Sequence, residues 1–249
     1  MSSIFHTFFY EPIFNLLVFL YNIVPGNDIG IAIIILTALI RLALFPLNQQ
    51  SIKSQKALQD LQPKIDELKK RYADNKQELG KAMMDLYKEQ KVNPFSSCLP
   101  LLIQFPFLIA VFYVFRDGLT GGSLDIVYNF IQRPDSINAM SLGIIDLAKP
   151  NPILAVLAGL AQFWQAKMMM AKRVPKQARN NPVAKDEDMM AIMNKQMVYF
   201  MPAITVFIGL TFPGGLTLYW LVTTLLTGLQ QVYIFKKSKI KEGEIEIVS

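Results

Sequence analysis

Two residue types that build catalytic and metal sites are nearly absent from this chain, which has one cysteine and one histidine in 249 residues. Cys98 has no partner for an internal disulfide. His6 alone cannot supply a Cys/His zinc site or a Ser-His-Asp triad deep in the fold. A phosphate-binding loop of the form G-x-x-x-x-G-K-[ST] is also missing from the sequence. We therefore expect a protein that is not an enzyme and that has no catalytic residue, no metal and no cofactor.

Charged residues are scarce as well, at 18% of the chain against 52% hydrophobic residues. This composition is too apolar for an ordinary soluble domain, and the chain is too long for one or two spans. The chain has 25 Lys and Arg residues against 19 Asp and Glu residues. The basic residues are concentrated in particular loops, as in the topology of a membrane protein, so we expect no DNA partner. No Lys or Arg precedes Arg41, so the start of the chain lacks the basic region of a cleavable signal peptide. The sequence indicates a polytopic membrane protein.

Five apolar segments each approach the roughly 20 residues that a helix needs to cross the hydrocarbon core of a bilayer. They are residues 29–47, 98–115, 152–170, 197–212 and 216–235. Residues 4–24 are apolar too, but Glu11, Pro12 and Asn15 interrupt them and aromatic side chains are spread through them. We expect this segment to lie at the membrane interface, and a sixth span is the alternative.

The pattern predicts an all-α integral membrane protein with a bundle of five transmembrane helices. Its divisions are an N-terminal interfacial helix over 1–26, a core over 27–235 and a basic tail over 236–249. Helical periodicity predicts a charged hairpin over about 51–92, broken at residues 73–75. The loop 171–195 is expected to be flexible and residues 240–249 to be disordered.

Lysine and arginine are distributed unequally between the two sets of loops. Residues 48–97, 171–195 and 236–249 carry most of them, whereas the other side has only Arg116, Arg133 and Lys149. Basic loops stay in the cytoplasm. We therefore expect a multi-pass protein of the inner (plasma) membrane, with its N-terminus outside and its C-terminus in the cytoplasm.

Arg41 is the only strongly charged residue well inside a predicted span, about two-thirds of the way along the first one. A guanidinium at that depth is costly, so it normally faces an acidic partner or water. No Asp or Glu lies inside another predicted span. Arg41 either reaches to the headgroups along its flexible side chain or lines a hydrated groove. We favour the groove, lined also by Thr37, Gln104, Gln165, Tyr219 and Trp220.

Several motifs together resemble the YidC family of membrane protein insertases, whose relatives include the mitochondrial oxidase-assembly and chloroplast Albino proteins. They are Tyr10-Glu11-Pro12-Ile13-Phe14-Asn15, the run from Leu36 to Leu47 with Arg41, the stretch from Leu86 to Pro94 leading to Cys98-Leu99-Pro100, and Phe212-Pro213-Gly214-Gly215-Leu216 to Tyr219-Trp220. Each motif is weak alone, but their ordered combination is specific.

The resemblance implies a five-helix core around a hydrophilic groove that opens to cytoplasm and lipid and is closed on the outer side. Arg41 matches the groove arginine of the family, and Thr37, Gln104 and Trp220 match groove-lining positions. Implied partners are nascent membrane proteins and membrane lipids, with ribosomes and the Sec translocon in addition. The chain has neither a large domain before its first span nor a lipid-modified cysteine near its start, which leaves the subtype open.

The interpretation is a membrane protein insertase and chaperone. It moves short hydrophilic segments of nascent membrane proteins through a positively charged groove and releases their transmembrane segments to lipid. One alternative is a small-anion transporter that uses Arg41 to bind its substrate. Another is an assembly chaperone that translocates nothing.

Overall fold

The computed structural model describes residues 3–93, 99–118, 124–168 and 196–248, and these are mostly helical. The first half contains α1 (Ser3–Phe5), a π-helical turn (His6–Tyr10), α2 (Glu11–Ile23), α3 (Ile29–Ala43), α4 (Phe45–Asp60), α5 (Gln62–Arg71) and α6 (Lys76–Glu89). The second half contains α7 (Leu99–Gly118), strands β1 (Met140–Ser141) and β2 (Ile145–Asp146), α8 (Pro152–Met168), a second π-helical turn (Gln196–Phe200), α9 (Met201–Gly209) and α10 (Gly214–Val248). Cys98 and the loop expected over 171–195 lie outside the described residues.

Within those ranges, a single helix segment, Gly214–Lys236, is long and apolar enough to cross a membrane by itself. The pair Ile29–Ala43 and Phe45–Asp60 passes the same test only if the two helices are taken as one bent span. The five-helix bundle expected from the sequence therefore remains a proposal about how the chain sits in the bilayer.

Helix α2 packs one face against α3 and α7, and the main apolar core forms where these three helices meet. The side chains with no exposed surface there include Phe14, Val18, Ile33, Leu36, Val111 and Val114. The opposite face of α2 is exposed and apolar, with Phe19 and Ile23 on it. The segment expected at the interface is thus held by the core along its whole length.

Helix α3 begins at a side-chain cap, because Asp28 accepts a hydrogen bond of 3.0 Å from the Ile31 amide. It ends at Ala43, and α4 leaves at an angle of 68° after the single residue Leu44. The span expected over 29–47 is therefore divided at Leu44 between two helices. Pro46 explains the bend, since proline lacks an amide hydrogen and clashes with the preceding helical turn.

Helices α4, α5 and α6 form the extension predicted as a charged hairpin. The chain leaves helical conformation at Tyr72 and re-enters it at Lys76, across the break expected at residues 73–75. Asn75 begins α6 by accepting a hydrogen bond of 3.2 Å from the Glu78 amide. Helix α4 starts at Phe45, so the first arm is longer than the sequence suggested.

Helices α8, α9 and α10 pack closely through small residues. A Cβ atom added to Gly159 would lie 2.4 Å from Val206 Cγ2, and one added to Gly209 would lie 2.8 Å from Ala155 Cβ. Backbones therefore approach closely at both positions, as small residues allow in helical membrane proteins. The Thr205 hydroxyl also donates a hydrogen bond to Gln162 between α9 and α8.

Two features of this mostly helical fold were not expected from the sequence. Strands β1 and β2 pair antiparallel, with Met140 opposite Asp146, around a turn at Leu142 and Gly143. Helix α10 continues to Val248, through the residues for which the sequence predicts a disordered tail. Alternating Lys, Ile and Glu residues are compatible with helix, because most of them have good helix propensity.

Candidate functional site: a buried polar cluster around Arg41

Arg41 lies in the last turn of α3, nearer the helix end than the sequence suggested. Its Nε is buried and has no hydrogen-bond partner. Among the described residues, no carboxylate forms an ion pair with it. The absence of an acidic partner expected from the sequence thus holds for the described part of the chain.

Tyr219 of α10 is a polar residue that interacts electrostatically with Arg41. Its side chain is 1% exposed, and its hydroxyl is near enough to the guanidinium for a direct electrostatic interaction. Gln104 of α7 donates a hydrogen bond of 2.5 Å from Nε2 to this hydroxyl. Three helices that are distant in sequence therefore bring Arg41, Tyr219 and Gln104 together.

Thr37 is one helical turn before Arg41 and is buried. Its hydroxyl donates a hydrogen bond of 2.6 Å to the Ile33 carbonyl in the same helix. The donor of Thr37 is therefore already used within α3, and only its oxygen remains able to accept a bond.

Gln165 and Trp220 are the two predicted site residues that the contacts do not connect to Arg41. Both are half-buried, and neither forms a hydrogen bond with another residue of the described ranges. Their membership in the groove stays a prediction from the sequence and the family resemblance.

Three further buried polar residues on α4 and α10 were not predicted as site residues, and they extend from Arg41 to Gln231, which lies about 18 Å beyond Tyr219 along α10. Asn48 Nδ2 and Gln231 Oε1 are buried without a hydrogen-bond partner, like Arg41 Nε, and the buried Thr223 hydroxyl lies beside the Tyr219 hydroxyl. Asn48 follows the bend into α4, while Thr223 and Gln231 lie on α10, which contacts both α3 and α4. We call Arg41, Gln104, Tyr219, Asn48, Thr223 and Gln231 the polar cluster.

The sequence did contain a signal for part of this cluster. Tyr219, Thr223, Thr227 and Gln231 recur every fourth residue, which places them on one face of a helix. Most other residues of the predicted fifth span are apolar, so the four-residue spacing of these polar residues was not recognised as a stripe. Asn48 gave no such signal, because the bend between α3 and α4 is what brings it to the interior.

Unpaired buried polar atoms indicate what the polar cluster can bind. Each costs about 1–3 kcal/mol if nothing satisfies it, so native proteins supply water or a ligand. The cluster combines a fixed positive charge with amide and hydroxyl groups. Such a site suits water and anionic or polar peptide groups, and in the described residues no three His, Cys, Asp or Glu side chains come together to hold a metal.

The opposite end of α3 is tightly closed by the segment 124–149. Asp28 binds this segment through the Ser141 hydroxyl at 2.9 Å and the Leu142 amide. Burial acts to raise the pKa of Asp28, but hydrogen bonds from the Leu142, Ile31 and Gly30 amides and from Ser141 outweigh it, so the pKa lies below its usual value. This end is therefore fastened by a carboxylate that is ionised at neutral pH.

Helix α2 and the α9–α10 turn hold the same segment. The Asn15 side chain donates to the Ile126 carbonyl at 3.1 Å and accepts from the Tyr128 amide at 2.7 Å. The Gly214 amide donates to the Lys149 carbonyl at 2.9 Å, where an added Cβ would lie 3.0 Å from that oxygen. One end of the helical core is thus sealed by hydrogen bonds, whereas the other contains the unsatisfied polar cluster.

Comparisons with known proteins agree on one family. The model of the family described as 60Kd inner membrane protein matches residues 19–242. Two proteins named membrane protein insertase YidC, from Francisella tularensis subsp. novicida (strain U112) and subsp. holarctica (strain LVS), are 36% identical to the chain over 227 residues. These matches cover 90% of this chain and 35% of each relative, so the chain spans about a third of their length.

A solved structure is similar as well. It is described as an active YidC insertase crystal structure with the first transmembrane domain resolved. The TM-score is 0.54 at 27% sequence identity, and the match covers 88% of this chain and 45% of that chain. The fold described above is therefore similar to that of a YidC insertase over most of the chain.

Proposed function

The chain belongs to the 60Kd inner membrane protein family, and we propose that it is a membrane protein insertase and chaperone. Its substrates are nascent membrane proteins. It moves their short hydrophilic segments across the bilayer and releases their transmembrane segments to lipid. The proposal needs no catalytic residue, because binding and hydration lower the barrier without any covalent step.

The observation that carries this proposal is the half-buried side chain of Arg41, whose buried Nε has no hydrogen-bond partner and whose guanidinium has no acidic partner among the described residues. A structural arginine at such a place is normally neutralised by a carboxylate. An unpaired one attracts negative charge from outside the protein. The unsatisfied side-chain groups of Asn48 on α4 and Gln231 farther along α10 supply sites for water, which keeps a polar client segment solvated.

The mechanism follows from placing these groups in a groove that opens on one side of the membrane. Acidic residues of the client approach Arg41, and water in the groove hydrates them for part of the crossing. The remaining distance through apolar surroundings is shorter than a whole bilayer. The apolar segment of the client then leaves sideways into lipid, where its helix satisfies its own backbone.

The sealed end of the core gives the groove its direction. Asp28 and Asn15 fasten the segment 124–149 over one end of α3, as described above. We propose that this end faces outward and that the polar cluster opens to the cytoplasm, in agreement with the basic loops 48–97 and 236–249. The five-span topology, the groove positions of Thr37, Gln165 and Trp220, and the ribosome and Sec translocon as further partners belong to the same proposal.

The test uses vesicles that contain this protein as their only protein. The substrate is a short single-span client with an acidic tail, and insertion is measured by protection of the tail from added protease. Wild type inserts the client, and Arg41→Lys keeps most of this activity because it keeps the charge. Arg41→Ala lowers insertion about tenfold, the change that corresponds to a loss of about 1.4 kcal/mol.

Two controls separate the site from general effects. Arg133→Ala removes an equal charge from an exposed residue that pairs with Asp125, and insertion stays at the wild-type level. Insertion of a client with a neutral tail is expected to be equal for wild type and Arg41→Ala. Equal insertion by wild type and Arg41→Ala contradicts the groove mechanism. Passage of small anions without client insertion would favour a transporter, and binding without protection would favour an assembly chaperone.

A further inference from the structure

The exposed face of the N-terminal helical segment is apolar over most of its length. Its large exposed side chains are Ile4, Phe8, Phe19 and Ile23. They follow the four-residue spacing of one helical stripe, with Pro12 between the two pairs. The polar residue Asn15 is instead turned inward, where it binds the segment 124–149. This stripe therefore faces an apolar medium rather than water.

The segment 124–149 also exposes large apolar side chains, although it lies outside the helices. Phe130 is 84% exposed, Ile144 is 80% exposed and Leu142 is 69% exposed. A soluble surface rarely presents several such groups in one short segment. We call these three residues the loop apolar groups.

Leu142 is held in an unfavourable backbone conformation. Its φ is 50°, in the left-handed region, and Gly143 follows with a φ of 67°. Asn, Asp or Gly normally occupies the first central position of a turn in which both central residues have positive φ. A leucine at this position exposes an apolar side chain where a polar residue would suit both the backbone and water better.

Hydrogen bonds place the loop apolar groups beside the corner between α2 and α3. Asn22, next to Ile23, donates a hydrogen bond of 2.6 Å to the Gln132 carbonyl, two residues after Phe130. Asp28, at the start of α3, accepts from the Leu142 amide. One attachment lies in the last turn of α2 and the other at the start of α3, so Phe130 and Leu142 are anchored near the end of the apolar stripe.

Four of the charged residues in segment 124–149 form ion pairs, whereas the exposed Asp135, next to Ser136, forms none within the described residues. Arg133 bonds to Asp125, and Lys149 lies 2.9 Å from Asp146. Such pairs lower the cost of bringing charged residues close to lipid. The pairing therefore permits this segment to approach a membrane surface.

We propose that the loop apolar groups are immersed in the boundary between headgroups and acyl chains of the outer leaflet. The partner is lipid, and the apolar stripe of α2 continues the same immersed surface. This inference rests on the proposed membrane orientation, and it adds a lipid contact by a segment outside the spans. Immersion would fix the sealed end of the core at a defined depth beside the acyl chains.

Site-directed spin labelling tests the proposal in lipid vesicles that contain the whole chain. In a Cys98→Ser background, labels are attached to Phe130→Cys and to Ile144→Cys, with Ser136→Cys as the matched control in the same segment. Ser136 is exposed and polar. Collision with oxygen, which concentrates in lipid, is compared with collision with a water-soluble nickel chelate.

Labels at 130 and 144 are expected to collide preferentially with oxygen, whereas the label at 136 collides preferentially with the chelate. Equal chelate access at all three positions overturns the proposal. Client insertion is measured on the same labelled proteins. Active protein with water-exposed labels contradicts only this inference, and lipid-immersed labels without client insertion contradict only the proposed function.

Discussion

Gln104 on α7 and Tyr219 on α10 are joined by a hydrogen bond of 2.5 Å next to the guanidinium of Arg41. The bond links residues 115 positions apart in the chain. Because the Tyr219 side chain is 1% exposed, water cannot easily replace Gln104 as its partner. This contact therefore links α7 to α10 and fixes the orientation of the Tyr219 hydroxyl beside Arg41.

Tyr219→Phe should lower stability by about 1–3 kcal/mol, because it leaves the Gln104 amide without its buried partner. Thermal unfolding in detergent checks this expectation. The double variant Tyr219→Phe with Gln104→Leu should recover part of the loss, since it removes both polar groups. If both variants unfold at the same temperature as wild type, the hydrogen bond does not contribute to the fold.

Gln231→Leu should lower client insertion without lowering the stability of the protein. The substitution replaces an unpaired buried oxygen by an apolar side chain of similar size, so stability stays equal or rises by about 1 kcal/mol. Client insertion falls, because a site for water in the groove is lost. Unfolding temperature and insertion are measured on the same preparation. Thr227→Val is the control on the same helix face, since the Thr227 hydroxyl already bonds the Thr223 carbonyl at 2.7 Å.

Asp28→Ala should lower stability at neutral pH by about 0.5–2 kcal/mol, the usual effect of losing a helix cap. The pKa of Asp28 is lowered from 3.8 in the folded protein, so its ionised form stabilises the fold above that pH. This contribution is lost as the pH falls through the folded pKa. Unfolding measured against pH should show the difference between wild type and variant shrinking on acidification below 3.8. A difference that stays constant down to pH 2 would show that ionisation of Asp28 is unimportant.

Gly159→Ala should destabilise the packing of α8 against α9. The new Cβ would lie 2.4 Å from Val206 Cγ2, and overpacking of this kind costs about 1–3 kcal/mol. Val206→Ala in the same chain should restore part of the stability. The rescue stays incomplete because the Pro202 carbonyl oxygen is also only 3.2 Å from the new atom. Gly80→Ala, which has open space around it, is the control and should not destabilise.

The sequence was sufficient to identify the family and most helices, because apolar length and ordered motifs are local properties. It also located Arg41 and Tyr219, since their polarity contrasts with an apolar surrounding. The bend at Leu44 was missed because the apolar run continues through Pro46. Strands of two residues are too short to produce an alternating pattern, so the hairpin at Leu142 gave no signal.

The polar cluster shows why the rest of the site could not be predicted. The burial of Asn48 depends on the direction that α4 takes after the bend, which no local pattern specifies. Thr37 was expected to offer its hydroxyl to the groove, but the nearest acceptor is the carbonyl of Ile33 in its own helix. Partners of this kind are decided by packing, which sequence reasoning reaches only indirectly.

Leu44 connects two helices through a single residue, and its amide bonds back to the Ile40 carbonyl at 3.0 Å. That bond belongs to the turn that carries Arg41. A displacement of the α4–α6 extension would therefore act on the end of α3 through this bond, and on α7 and α10 through their contacts with α4. The connection between the extension and the core thus lies three residues from Arg41, whose guanidinium clients are proposed to meet.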